Sequence, residues 1–243
     1  MARQSSTSLA AALLEVAATS RSLRPCALLE VAAFAAGEKP ALRFVLDPGD
    51  ETGFLRTACA FGLDLATRCV FLESRGGSWF SLVPYRTERE RLLVVIAAAD
   101  HAERLVEAET LDSERAGVML GYPACCVKAF QRLAEAGGRW GQALSATAVD
   151  ARAIDARCNR FAAEWGGIGV MGELFPCSLE CEHAKAYGES LYRSTVRLGL
   201  HRLAVRAKTD SLRPVVVSDD GTVSVVVPGT TGSLGFVWNA SNH

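Results

Sequence analysis

Residues 69–98, CVFLESRGGSWFSLVPYRTERERLLVVIAA, decide the fold class of this chain. The stretch contains three runs of apolar, β-branched and aromatic residues that are typical of strands: CVFLE at 69–73, WFSLVPY at 79–85 and RLLVVIAA at 91–98. Gly76-Gly77 separates the first two runs and favours a hairpin turn. The N-terminal part of the chain is therefore predicted to contain a β-sheet.

Helical patterns and one further strand precede this stretch. The segment ALLEVAA occurs at 12–18 and again at 27–33, which predicts a short helical hairpin. ALRFVL at 41–46 predicts a strand, and apolar residues at helical spacing predict a helix over 51–67. The N-terminal segment superficially resembles an export signal. Because Glu15 interrupts its apolar run, we expect an amphipathic helix there.

Beyond residue 100 the pattern changes to helix and then back to strand. The chain is mainly helical from Asp100 to about residue 210. After Pro214, two valine-rich runs flank Asp220-Gly221, which is a hairpin signal, and GSLGFVW follows at 232–238. We therefore predict an α+β fold, and the sequence leaves open whether its parts share one core. The predicted parts are an N-terminal α/β portion (1–100), a helical middle that carries the cysteine cluster (101–210) and a small C-terminal β element (211–243).

Charge and cysteine usage restrict the class of protein. The 26 basic and 27 acidic residues give a net charge of −1, so nucleic acid and anionic membranes are disfavoured partners. No run approaches the roughly 18 apolar residues that would span a bilayer. Eight cysteines without an export signal indicate a reducing compartment, so we expect a cytoplasmic protein.

Four of the eight cysteines lie in two proline-led motifs. GYPACCVKAF at 121–130 contains Cys125 and Cys126, and FPCSLEC at 175–181 contains Cys177 and Cys181. Proline is favoured in the first turn of a helix, and the positive end of a helix stabilises a thiolate over a thiol. We therefore predict that each motif begins a helix and presents thiolates that bind a metal.

Spacing within the motifs suggests how the sulfurs meet. Cys177 and Cys181 would lie on one helical face because four residues separate them. Adjacent helical side chains diverge by about 100°, so we expect only one of Cys125 and Cys126 to reach a shared centre, and Cys126 is favoured. Three thiolates would leave one coordination position open. The candidates for that position are Cys158 and His183.

Several types of thiolate site fit the two motifs. Four thiolates suit zinc or an iron–sulfur cluster. Structural zinc sites usually use short C-x2-C pairs, whereas these CC and C-x3-C pairs are about fifty residues apart, which favours a larger cluster. The sequence thus favours [4Fe–4S] as the cofactor and leaves zinc as the alternative. A dithiol redox site and buried structural cysteines are the other interpretations.

The two motifs resemble those of an uncharacterised cysteine-rich family that carries GYPxCC and, further on, FPCSxxxC-like or FPCSxxC-like segments. The match covers 120–130 and 175–181, and it implies an iron–sulfur or metal role without an assigned reaction. The C-x3-C spacing is also similar to that of radical SAM enzymes. Ala184 stands where their third cysteine is expected, so this chain departs from that pattern.

Weaker signals lie around the cysteine motifs. GIGVMG at 167–172 matches G-x-G-x-x-G, but the run before it predicts a helix instead of a strand. We therefore expect this glycine-rich segment to be a close-packed approach to the second motif. No catalytic residue is assigned. The residues that could line a substrate pocket are Tyr122, Arg160, Gly167 and Gly169.

The functional hypothesis from the sequence is an iron–sulfur protein. It would act on a small molecule or a carrier-bound substrate, either as an enzyme or as the partner of a redox protein. The competing hypothesis is a non-catalytic binding module that zinc stabilises. The sequence leaves open whether the protein is an enzyme.

Overall fold

The computed structural model describes residues 5–75, 79–83, 90–97, 101–135, 156–158, 167–212, 215–217 and 223–225. Its helices are α1 (Ser6–Thr19), α2 (Ala27–Ala35), α3 (Thr52–Phe61), α4 (Ala102–Leu111), α5 (Ser113–Met119), α6 (Ala124–Glu135), α7 (Glu182–Arg197) and α8 (His201–Ser211). Its strands are β1 (Ala41–Leu46), β2 (Asp64–Arg75), β3 (Trp79–Val83), β4 (Glu90–Ala97), β5 (Val215–Val217) and β6 (Val223–Val225), and Ala156–Cys158 forms a 3-10 turn. None of the helices in these ranges has the length and apolar character needed to cross a bilayer.

The four strands β1 to β4 form one antiparallel sheet in the order β1-β4-β2-β3. β4 therefore pairs on both sides, with β1 and with β2. Successive side chains of a strand point to opposite faces, so Val94 and Ile96 enter one core while Leu93 and Val95 enter the other. Burial of both faces explains why the predicted strand at 91–98 is apolar without interruption from Leu92 onward.

Helices cover both faces of this sheet. On one face, Leu13 of α1, Val31 of α2 and Phe54 of α3 pack together against the strands. On the other face, Leu105 of α4 packs against Val70 of β2. Each fully buried side chain of this size contributes about 1.5–3 kcal/mol relative to an exposed one. The result is a helix–sheet–helix arrangement.

Helix α2 is buried on all sides. Val31 faces the sheet, whereas Leu29 and Ala33 on the opposite side pack against Leu191 of α7. Its sequence, ALLEVAAFA, is apolar all round, which is typical of a helix between two layers. α2 therefore joins the sheet to the helix that follows the second cysteine motif, and its one charged residue, Glu30, is only 3% exposed.

The α+β class is confirmed, as are the strands predicted near 41–46 and 91–98. The helix predicted over 51–67 is too long. α3 ends at Phe61, Gly62 adopts a left-handed φ of 63°, and β2 begins at Asp64. A glycine with positive φ is the usual end of a helix, and the last residues of the predicted range lie in a strand instead.

Strand pairing confirms both predicted hairpins. β2 and β3 pair antiparallel with Arg75 opposite Trp79, and β5 pairs antiparallel with β6. The predicted turns at 76–77 and 220–221 and the predicted strand at 232–238 lie outside the described residues. The division of the chain into 1–100, 101–210 and 211–243 stays a prediction.

Candidate metal centre

The first cysteine motif forms the start of α6, as the sequence predicts. The backbone N–H groups of Cys126 and Val127 both donate to the carbonyl oxygen of Pro123, at 2.9 and 3.0 Å, and close the first turn. Cys125 is half-buried, whereas Cys126 is 1% exposed. The turn thus holds one sulfur near the surface and one inside.

The second motif departs from the predicted helix start. Residues 177–180 form a bend and a turn, and α7 begins at Glu182 with Cys181 as its N-cap. The Sγ of Cys181 accepts a hydrogen bond from the Ala184 N–H at 3.4 Å, the role that serine or aspartate commonly has at a cap. The prediction that Cys177 and Cys181 share a helical face is therefore wrong. The chain turns between them and still brings both sulfurs together.

Four sulfurs meet at this point and could hold a metal ion. The Sγ atoms of Cys125, Cys126, Cys177 and Cys181 all lie within 4.8 Å of one another. Three of them form a nearly equilateral triangle, because Cys125 lies 3.9 Å from Cys126 and 3.8 Å from Cys181, and Cys126 lies 3.7 Å from Cys181.

The sulfurs of Cys125 and Cys126 therefore both belong to the group of four, although we expected only Cys126 to reach it. The Cα–Cβ bonds of Cys125 and Cys126 do diverge around α6. Their sulfurs nevertheless lie 3.8 and 3.7 Å from the sulfur of Cys181, at the start of α7. The packing of the start of α7 against the start of α6 thus brings the two sulfurs together with a third, although their side chains point in different directions on α6.

The pKa values of these thiols are shifted in different directions. Burial raises the pKa of Cys126 well above its usual value and raises the pKa of Cys177 to about 11. Burial acts in the same direction on Cys181, but hydrogen bonds from the Ala184 N–H and from the neighbouring thiols lower its pKa. Cys181 is therefore the first of these three to lose its proton. A divalent cation among the sulfurs would displace the other protons.

The two candidates for a further ligand lie beside the four sulfurs instead of among them. Cys158 is fully buried, and its Sγ donates to the carbonyl oxygen of Cys181 at 3.7 Å. His183 is exposed and places Nδ1 3.5 Å from the Sγ of Cys125. Within the described part of the chain, the group of ligand atoms that meet contains neither residue. His183 is nevertheless close enough to donate a hydrogen bond to a Cys125 thiolate.

The glycine-rich segment packs closely before the second motif. Gly167 and Gly169 are buried. The N–H of Ile168, between them, donates to Asp210 of α8 at 3.0 Å, and the N–H of Val170 donates to Ser211 at 2.8 Å. These two amides are therefore directed at α8. A substrate-binding role for the two glycines stays a prediction.

A buried polar network lies next to the sulfurs, and sequence reasoning missed it. Glu30 and Lys39 are 3% and 4% exposed, and Nζ of Lys39 lies 3.4 Å from Oε2 of Glu30. Nζ also lies 4.2 Å from the centre of the Tyr122 ring, a favourable cation–π distance. Burial lowers the pKa of Lys39, and the charge of Glu30 opposes that change. The one available signal was a glutamate within the apolar helix α2.

Tyr122 belongs to this network, since its hydroxyl donates to Oε1 of Glu30 at 3.2 Å. Its predicted place in a substrate pocket stays a prediction. Arg160, the other side chain predicted there, lies outside the described residues.

Comparison with known proteins finds no match: no family model, no curated protein and no solved structure matches this chain. The resemblance to a cysteine-rich family with GYPxCC stays a prediction. The functional conclusion therefore depends on the geometry of the four sulfurs.

Proposed function

We propose that the protein binds one zinc ion through Cys125, Cys126, Cys177 and Cys181, and that the ion fixes the start of α6 against the start of α7. The observation that carries this proposal is the set of distances among the sulfurs of Cys125, Cys126 and Cys181, which are 3.7, 3.8 and 3.9 Å, with the Cys177 sulfur within 4.8 Å of each. Four thiolates around a tetrahedral ion with Zn–S bonds of about 2.3 Å lie about 3.8 Å from one another. The spacing thus supports a single tetrahedral ion.

The same distances favour one ion over the [4Fe–4S] cluster that the sequence suggests. In such a cluster each thiolate binds a different iron, so the outer sulfurs lie on the order of 6 Å apart. All four sulfurs of this site lie within 4.8 Å of one another, which is closer to the spacing around one ion than to that around the cluster. A single iron in a four-thiolate site would have the spacing of zinc, and metal analysis distinguishes the two.

Four protein sulfurs support a structural role for the ion. Catalytic zinc sites keep one position open for water or substrate, whereas four thiolates complete the tetrahedron. Cys126 and Cys181 are also buried, and 55 residues separate them along the chain. An ion that joins such distant segments contributes its binding energy to the fold. The geometry therefore supports a zinc-stabilised binding module over an enzyme that acts through its metal.

Metal and sulfide analysis of the full chain, purified both with and without oxygen, tests the proposal. We expect a colourless protein with one zinc per chain and no acid-labile sulfide. A brown protein with several irons and labile sulfide would support the iron–sulfur cluster instead. A coloured protein with one iron and no sulfide would indicate a single-iron redox centre. Absence of binding in a zinc titration of the reduced protein would overturn the metal function altogether.

A further inference from the structure

One buried carboxylate contacts the first cysteine motif and the segments on both sides of the second. Oε1 of Glu30 accepts a hydrogen bond from the backbone N–H of Glu173 at 2.8 Å, just before the second motif. It also accepts one from the hydroxyl of Tyr187 at 3.0 Å, in the helix that follows that motif. A third comes from the hydroxyl of Tyr122, within the first motif, at 3.2 Å. Glu30 itself belongs to α2, so its hydrogen bonds connect all three segments to this helix, which packs on the sheet.

Lys39 neutralises this carboxylate and holds the same segments. Its Nζ lies 3.4 Å from Oε2 of Glu30 and donates to the hydroxyl of Tyr187 at 3.2 Å. It also donates to the carbonyl oxygen of Leu120 at 2.7 Å, at the turn that leads into the first motif. A buried charge is costly unless it is paired and hydrogen-bonded, and this pair meets both conditions.

The backbone before the second motif is shaped for the approach of Glu30. Gly172 has a φ of +59°, and a Cβ at this position would lie 2.7 Å from both Cγ and Oε1 of Glu30. Only glycine fits such a left-handed conformation without strain and also leaves this space free. The carboxylate can therefore reach the N–H of the next residue, Glu173.

From this convergence we infer that Glu30 is a positioning residue of the metal centre, which sets the placement of the two cysteine motifs relative to each other. The inference rests on the proposed zinc site and extends it to α2, which ligates nothing. If Glu30 served only the stability of the fold, a folded variant without it would bind metal as the wild type does. A positioning residue instead changes the affinity and the ligand field of the bound ion.

Cobalt substitution in the full chain separates these two roles. Co²⁺ affinity is measured by chelator competition, and its visible absorption reports the geometry of its ligands. The main variant is E30M/K39M. It removes both buried charges together, so neither charge is left buried without its partner. The second is Y122F/Y187F, which keeps both rings and removes only the hydroxyls. Leu13→Ala, which changes the core on the sheet side of α2 and none of the contacts of Glu30, is the control for a general loss of stability.

We expect E30M/K39M to fold, to bind Co²⁺ at least about tenfold more weakly and to show shifted absorption bands. Y122F/Y187F should change in the same direction, and Leu13→Ala should keep the affinity and spectrum of the wild type. Wild-type affinity and spectrum in the folded double variants would overturn the inference and leave the zinc site intact. If E30M/K39M does not fold, Y122F/Y187F decides by the same criterion. Failure of the wild type to bind Co²⁺ or Zn²⁺ would instead overturn the proposed function.

Discussion

The Sγ atoms of Cys126 and Cys181 lie 3.7 Å apart although 55 residues separate them along the chain. The contact joins the first turn of α6 to the N-cap of α7. A metal ion bound there would close a long loop, and closing a longer loop removes more entropy from the unfolded chain. The stability of the fold and the occupancy of the site should therefore depend on each other.

Serine at any one of the four clustered cysteines should lower the zinc content from one ion per chain to a small fraction. The cause is the loss of one thiolate from a site that has no spare ligand among its four sulfurs. Metal analysis after gel filtration measures this content. Cys59→Ser and Cys69→Ser change exposed thiols outside the cluster and should retain the metal. Full zinc retention in Cys177→Ser or Cys181→Ser would contradict the assignment of those ligands.

Removal of the metal should lower the melting temperature. A ligand present at a thousand times its Kd stabilises the folded state by about 4 kcal/mol, and each kcal/mol shifts the Tm by about 2–4 °C at this chain length, so the shift should be roughly 8–16 °C. Calorimetry with and without a chelator measures it, and equimolar zinc should restore the original Tm. Cys181→Ser should melt at the lower temperature and should not respond to zinc. An identical Tm for the wild type with and without the chelator would contradict a structural ion.

Zinc affinity should increase with pH. Burial raises the pKa of Cys177 to about 11 and raises that of Cys126 still further, so both thiols carry protons near neutrality when no metal is bound. Metal binding must release at least these two protons, which predicts a gain in affinity of at least about 100-fold per pH unit between about pH 6 and 8. Chelator competition across this range gives the slope. Calorimetry in buffers of different ionisation enthalpy gives an independent count of protons, and an affinity that does not change with pH would contradict this mechanism.

The folded protein should lose stability above about pH 10 through two tyrosines. Burial, followed by the charge of Glu30, raises the pKa of Tyr122 and of Tyr187 well above the usual value. A folded pKa above the unfolded value of about 10 means that the contribution is fully present below that pH and is lost as the pH rises through the folded pKa. Denaturant unfolding at pH 9 to 11 should show this decline. Y122F/Y187F should decline less steeply, and equal slopes would argue against ionisation of these two tyrosines as the cause.

Gly172→Ala should destabilise the fold and weaken metal binding together. The substitution introduces a Cβ into space that Glu30 occupies and also strains a left-handed backbone. Gly62→Ala is the matched control, because its φ of +63° is similar but nothing lies within 4 Å of the added Cβ. Both variants should lose stability in denaturant unfolding. Only Gly172→Ala should lose zinc affinity, and equal affinities in the two variants would show that contact with Glu30 does not affect the metal site.

Local patterns were sufficient to predict the start of α6 and to select the four cysteines whose sulfurs meet. Pro123 before Cys125 and Cys126 predicts the start of α6 because proline suits the first helical turn. The predicted helix start at Cys177 fails because α7 begins only at Cys181, where the thiol caps the Ala184 N–H. A cysteine at an N-cap has no strong sequence signal, since serine, threonine and aspartate are the common residues there.

The meeting of four sulfurs could not be predicted from either motif alone. Adjacent side chains of one helix, such as those of Cys125 and Cys126, do point in different directions. Both sulfurs nevertheless contact that of Cys181, because the start of α7 packs beside the start of α6. The distances that favour one ion over a cluster therefore arise only from the packing of two helix starts.

The two ALLEVAA segments have identical sequences, so they separate what the sequence determines from what the tertiary structure decides. By itself, the sequence determined that both segments are helical and that each carries one glutamate among apolar residues, because helical periodicity is a local property. Glu15 is exposed on α1, whereas Glu30 in the same position of α2 is 3% exposed. Only the tertiary structure decided this difference, since α2 lies between the sheet and α7. Burial depends on what packs against a helix, and that packing brings the carboxylate of Glu30 to the segments that carry the cysteines.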